Sequence, residues 1–270
     1  MSSRWLRLRE PADASARASD LLRLVEGPAP GRPWVVHDLG CGDGSMLRWL
    51  APRLPGPQHW VLHDRDPDLL RAAAASPPPA SADGAAVVVG TRQVDITRLG
   101  TSGLAGASLV TASALLDMFT ADELERLVAS CVAAGCPVLL TLTVTGGARL
   151  VPPDPFDAVL AAAFDDHQRR TTGGRTLLGP DAAPAAVRAF AAAGWRVETR
   201  PAPWRLGPEH RALLAEWLPG WVRAACEQRP ELAPAGGSYL ERRLTDVGQG
   251  RLRATVRHLD LLVRPRAGAR

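Results

Sequence analysis

The sequence predicts an α/β protein built on a doubly wound, mostly parallel sheet of seven strands, with helical insertions in its C-terminal half. Three observations carry this. Short apolar runs alternate with helical patterns from residue 34 to residue 145. The first run ends in a glycine-rich turn, "HDLGCGDGS", that opens a helix. The run "PVLLTLTVT" (137–145) is almost unbroken in its apolar character, as in a strand covered on both faces.

The elements follow in order. Residues 1–33 are expected to form an N-terminal helical cover and linker. Pro11 divides the cover, so a short amphipathic helix is expected from Asp13 to Val25, followed by the turn-forming "EGPAPGRP" (26–33). "WVVHDL" (34–39) is a strand, and a helix follows at about 45–53. "HWVLHD" (59–64) is the second strand. Asp66 then caps a helix over about 67–75, with Pro67 at its first position, where a missing N–H costs nothing. The loop "SPPPASADG" (76–84) leads to a third strand within 85–95, and "ASLVTAS" (107–113) reads as the fourth. Thr120 and Glu123 make a capping box for the helix that ends at Gly135. The fifth strand is 137–145.

The second half is less regular. Residues 146–180 read as an insertion or lid containing the helical piece "FDAVLAAAFDDHQRR". A helix over 181–194 precedes a strand over 195–206 whose end is broken by proline. A second insertion, 207–250, is helical. In it Leu213, Trp217, Trp221 and Ala225 form one stripe, read as core packing, and Pro219–Gly220 is expected to kink or split the helix. The strand 252–265 completes the sheet.

Composition narrows the function. The chain has 270 residues, 46% of them hydrophobic, enough for a sizeable core. Its net charge of +4 rests on arginine alone, because the sequence contains no lysine. Those arginines are scattered among acids, so a nucleic-acid face is not expected. Cys41, Cys131, Cys136 and Cys226 form no CxxC pair, which suggests reduced thiols and a cytoplasmic setting. No membrane span, signal segment or metal-ligand spacing is found.

Gly40, Gly42 and Gly44 stand where the first strand turns into a helix. Without a Cβ there, a ligand can approach the main chain, and the free amides of a helix N-terminus make the spot partly positive. The dinucleotide fingerprint is GxGxxG, whereas this turn is GxGxG, with Ser45 where the third glycine would stand. Asp38 and Asp43 flank the turn, and acids repel a pyrophosphate. A ligand with a cationic group and no phosphate fits better than a nicotinamide dinucleotide.

Four segments in register resemble the class I S-adenosylmethionine-dependent methyltransferases: "HDLGCGDGS", "VLHDRDPDLL", "RQVDI" and "LVTASALLDMFTADEL". The resemblance covers about residues 34–145. It implies the Rossmann-like fold of that family and S-adenosylmethionine as cofactor. It also implies that Gly40, Cys41, Gly42 and Gly44 line the methionine end. Asp38 would position the turn or the amino group, and Asp64, beside Arg65, would accept the two ribose hydroxyls. Asp95 would meet the adenine amino group, with Ile96 on the ring. Ser113 and Ala114 would lie near the reactive centre. His37 departs from the family's usual aliphatic residue.

Methyl transfer from an activated sulfonium needs alignment first, and a general base only where the acceptor is protonated. The catalytic candidates are Asp117, at the mouth beyond the fourth strand, and His167, in the expected lid. His210 and Tyr239 are further candidates, and His63 reads as structural. Arg7, Arg9 and Arg17 are candidates to clamp an acidic substrate from the N-terminal cover. The Asn/Asp-Pro-Pro-aromatic tetrapeptide is absent after the fourth strand, where "SALL" stands. The expected acceptor is therefore a small molecule, methylated at oxygen or nitrogen, ahead of RNA or protein; a homodimer is the candidate assembly. The alternatives are a cofactor-binding regulatory or partner subunit without turnover, and a nicotinamide oxidoreductase.

Overall fold

The parallel core of the sheet follows from five strands with short apolar sequences: β1 (Trp34–Leu39), β2 (Gln58–Asp64), β3 (Val87–Gln93), β4 (Leu109–Ser113) and β5 (Val138–Val151). The computed structural model describes residues 2–29, 31–75 and 79–266; residues 76–78 of the expected surface loop lie outside that range. A two-stranded hairpin, β6 (Thr171–Thr172) with β7 (Arg175–Thr176), stands apart from the sheet. The chain closes the sheet with β8 (Arg196–Pro201), β9 (Trp204–Leu206) and β10 (Arg253–Arg264). The order is β3-β2-β1-β4-β5-β10-β8, with β9 also paired to β10. Strands β1 to β5 run parallel, while β10 runs antiparallel to β5, β8 and β9. The order reverses between β1 and β4, which places a crevice at their carboxyl ends.

The helices are α1 (Ser3–Ala16), α2 (Ser45–Leu50), α3 (Pro67–Ala75), α4 (Ala121–Ala134), α5 (Asp157–Gln168), α6 (Ala182–Ala192), α7 (Arg211–Gln228) and α8 (Ala233–Gly248). The capping box at α4 is present in both directions, and Gly135 ends that helix in the left-handed region at φ +67°.

Three expectations are corrected. The N-terminal helix does not begin after Pro11 but runs through it from Ser3, and 3-10 turns over Ser19–Leu24 replace its expected second part. Pro11 is exposed, while Arg9, Ala12 and Asp13 pack inward across it. Tertiary burial thus outweighs the roughly 3 kcal/mol that an interior proline costs. Likewise Pro219 does not split α7, which runs on through it because Leu218, Trp221, Val222 and Ala225 are all buried. Residues 146–151, expected to open the lid, instead extend β5 and pair with the first part of β10.

This extension divides the core. One cluster lies on each face of the sheet, against α4 and α6 on one side and α2 and α3 on the other. A third cluster gathers α5, α7 and α8 around Trp204, Trp221 and Tyr239, on the β5–β10 ribbon beyond the sheet. Helix α1 packs into that lobe through Trp5, Leu8 and Ala12, and reaches the sheet through Ala14. Leu6 of the same helix lies against the turn that follows β1.

Candidate active site

The turn after β1 takes up the left-handed region three times, at Gly40 (φ +65°), Gly42 (φ +56°) and Gly44 (φ +91°). A Cβ on Gly40 would stand 3.0 Å from Leu115, and one on Gly42 would stand 3.1 Å from Leu6 of α1. Only glycine suits both the conformation and the space. Asp64 pins the turn from the end of β2: its Oδ2 accepts from the Gly42 amide at 2.9 Å and its Oδ1 from the Asp66 amide at 3.0 Å. The Cys41 amide donates to the His63 carbonyl at 2.9 Å. The Cys41 thiol is pushed far up by burial and by the neighbouring acids, so it is no nucleophile. His63 and His37 form a buried pair at 3.1 Å, both lowered by burial, which fits the structural role expected of His63.

Asp38 is 1% exposed. Its Oδ1 accepts from Thr111 Oγ1 at 2.7 Å, while its buried Oδ2 has no partner among the described residues. Burial pushes this carboxyl up to about 7, against the hydrogen bond from Thr111 and the charge of Arg17, which draw it down. Arg17 follows the last turn of α1 and is 5% exposed. One terminal nitrogen donates to Ser45 Oγ at 3.2 Å and to Ser113 Oγ at 3.1 Å. Its Nε and Nη1 are buried without a partner among the described residues. Burial lowers its pKa, opposed by the charges of Asp13, Asp38 and Asp260. Unsatisfied buried groups of opposite charge thus converge over a bare backbone turn. Such groups cost stability unless a ligand completes them.

The remaining predicted residues fall around this centre. Ile96 and Leu115 flank Gly40, forming an apolar wall. Asp95 is exposed beside it and caps a 3-10 turn, accepting from the amide and hydroxyl of Thr97, which hold its carboxyl low. Arg65 is exposed at the rim. Ser113 accepts from Thr141 as well as Arg17, and Ala114 takes the left-handed region at φ +51°.

Beyond β4 the 3-10 turn Leu116–Met118 carries Asp117. Its carboxyl makes no ion pair among the described residues. It is raised to about 6 by desolvation, with its own amide and the charges of Arg9 and Arg170 drawing it down. Arg9 is 9% exposed and held by Asp13, through Nε at 2.8 Å and Nη2 at 3.2 Å. Its guanidinium lies over the Trp204 ring, whose Nε1 donates to the same Asp13 at 2.9 Å. His258 packs against the Trp204 ring as well, 5.4 Å between centroids, and is lowered to about 3 by burial.

Other candidates lie elsewhere. His167 joins α5 to α7: its Nε2 faces Glu227 at 3.3 Å and its Nδ1 lies 3.4 Å from Arg170, so both ring nitrogens are engaged. Tyr239 is 0% exposed inside the helical lobe, where its hydroxyl donates to Asp157 at 2.6 Å. His210 accepts from the Gly207 amide at the start of α7. Arg7 is exposed, and the Leu213/Trp221 stripe is core. The pairing of Thr111 with Asp38, the placement of Ser45 and the Asp13–Trp204 mount were missed. They join residues far apart in sequence, and no local pattern marks them.

A phosphate ligand fits this centre poorly, because buried Asp38 stands beside the turn. A zwitterion fits well, with an anionic end for Arg17 and a cationic end for Asp38. No protein-family model and no curated protein matches the sequence. Solved structures match it in fold. A cyclopropane-fatty-acyl-phospholipid synthase-like protein from Lactobacillus casei aligns with a TM-score of 0.56 at 13% identity, over 95% of this chain and 91% of that one. The cyclopropane synthase MmaA2 from Mycobacterium tuberculosis aligns with a TM-score of 0.54 at 13% identity, over 98% and 95%. The chain has the class I methyltransferase fold.

Proposed function

We propose that this protein transfers a methyl group from S-adenosylmethionine to an oxygen or nitrogen of a small-molecule acceptor. The observation that carries the reading is the pair of unsatisfied buried groups, Arg17 and Asp38, over the glycine turn. They match the carboxylate and ammonium of an amino-acid tail. Gly40, Cys41 and Gly42 would line that tail, Asp64 would take the ribose hydroxyls, and Ile96 and Leu115 would hold the base, with Asp95 and Arg65 at its edge. When bound, the cofactor supplies an activated methyl group on a sulfonium. Asp117, unpaired beyond β4, would hold the proton that leaves the acceptor's hydroxyl or amine. A carboxyl poised near 6 is ionised at neutral pH yet basic enough to accept it. His167 is not given this task, because both its ring nitrogens are engaged.

Calorimetric titration tests the reading with three ligands: S-adenosylhomocysteine, 5′-methylthioadenosine, which lacks the amino-acid tail, and NAD. The expected order is strong, weak and none. Binding of NAD in place of S-adenosylhomocysteine refutes it. Equal affinity for the first two refutes the assignment of Arg17 and Asp38.

A further inference from the structure

Helix α1 borders a cleft of about 360 Å³ that the methyl-transfer reading does not use. The cleft opens where α1 meets β9 and the 3-10 turn Pro208–His210 that leads into α7. Ala12, Ser15 and Ala16 of α1 line it, with Pro201 and Pro203 from the corner between β8 and β9, and with Arg205 and His210. This is not the side of α1 that meets the glycine turn. There Leu6 lies against Gly42, and Glu10 holds Arg48 of α2 at 2.6 and 2.7 Å. On a helix of about 3.6 residues per turn, Leu6, Glu10 and Asp13 share one side, and Ala12, Ser15 and Ala16 another.

The lining is divided by its chemistry. Two alanines and two prolines bring no polar side chain to it, and a proline has no N–H to donate. Ser15 Oγ gives its hydrogen to the Pro11 carbonyl at 2.9 Å, so it meets a ligand with lone pairs only. The side-chain donors are Arg205 and His210. Arg205 is carried on the β9–β10 ladder opposite Thr255, between buried Trp204 and Leu206. Its guanidinium makes no ion pair or hydrogen bond among the described residues, so all its donors are free. His210 Nδ1 accepts from the Gly207 amide at 3.3 Å, which leaves the hydrogen of the neutral ring on Nε2. On protonation Nδ1 turns its hydrogen to Glu209 Oε1, 3.0 Å away, and Nε2 keeps its own. In both states the ring has a donor to give, and Glu209 stands at its other nitrogen.

We infer that this cleft is a second ligand site, which takes a small monocarboxylic acid. The carboxylate is held by Arg205 and by the Nε2 hydrogen of His210, and the apolar body lies on Ala12, Ala16, Pro201 and Pro203. A guanidinium offers a carboxylate two parallel N–H groups, and a neutral ligand would leave that charge without a counterpart. The volume lies at the low end of ligand pockets, which span roughly 300–1,000 Å³, so the body is one ring or a short chain.

The test is calorimetry on the full chain with benzoate, 3-phenylpropionate and hexanoate, each beside its neutral amide. At least one acid is expected to bind about tenfold or more tighter than its amide, the worth of one charge-assisted bond at about 1.4 kcal/mol. Arg205→Gln, a change at an exposed side chain, should remove that preference. Ala16→Leu puts a larger side chain into the cleft and should weaken acid and amide alike, about tenfold or more. If Ala16→Leu fails to fold, Arg205→Gln decides the matter. Amides binding as tightly as acids, no probe binding, an acid preference that survives Arg205→Gln, or a folded Ala16→Leu that binds as the parent does would each overturn the inference. None of these probes is a cofactor analogue, so the outcome is independent of the titration that tests methyl transfer.

Discussion

Replacing Asp38 with asparagine should make the empty protein more stable and a worse binder. The side chain is 1% exposed, and its carboxyl rises from 3.8 to about 7 on folding. At 1.36 kcal/mol for each tenfold change, ionising it in the folded protein costs up to about 4 kcal/mol. Because the folded value lies above the unfolded one, stability is greatest below the unfolded pKa and is lost as pH rises from about 4 to 7. Asparagine keeps the shape and can still accept from Thr111, but it carries no charge. Urea unfolding of the empty variant at pH 8 should therefore show a gain, with about 4 kcal/mol as its ceiling.

Ligand affinity should move the other way. A bound ammonium favours the charged carboxyl, so binding below pH 7 expels a proton. The dissociation constant of S-adenosylhomocysteine should rise about tenfold for each unit of pH from 7 down to 5. In Asp38→Asn that slope should vanish, and affinity at pH 8 should fall roughly 10- to 100-fold, the worth of one charge-assisted bond. The assay is calorimetry across that pH range, paired with the unfolding curves. If the variant is destabilised at pH 8, or keeps the parent's slope, the buried Oδ2 is not the atom that the ligand completes.

Three further outcomes are expected. Arg17→Gln should weaken S-adenosylhomocysteine roughly 10- to 100-fold while leaving 5′-methylthioadenosine unchanged, a contrast that general unfolding cannot produce. Asp117→Asn should lower kcat roughly 10²- to 10⁴-fold without altering cofactor affinity; in the parent, kcat should climb with pH through about 6 and then level, since the base works only when ionised. Asp260→Ala should cost roughly 2–4 kcal/mol in denaturant unfolding, because the buried amide of Leu142 and the part-buried amide of Ala18 both lose their acceptor.

The parallel half of the sheet was legible because its signals are local. Alternating apolar runs, the Asp66–Pro67 start and the Thr120–Glu123 box each lie within one element, and each is found where expected. The glycine turn was legible for the same reason. What could not be read is what long-range packing decides. Pro11 and Pro219 break helices by local rule, yet both helices continue, because burial on their inner faces is worth more. The extension of β5 past Gly146 depends on β10, more than a hundred residues later. In the site, Arg17 carried no mark that set it apart from Arg7. Only the fold places one beside Ser113 and leaves the other in solvent.

Helix α1 and the residue just past its end tie two regions together, with Arg9 over Trp204 and Arg17 between Ser45 and Ser113. A ligand that engages Arg17 therefore pulls on the same rod that presses Trp5, Leu8 and Ala12 into the helical lobe.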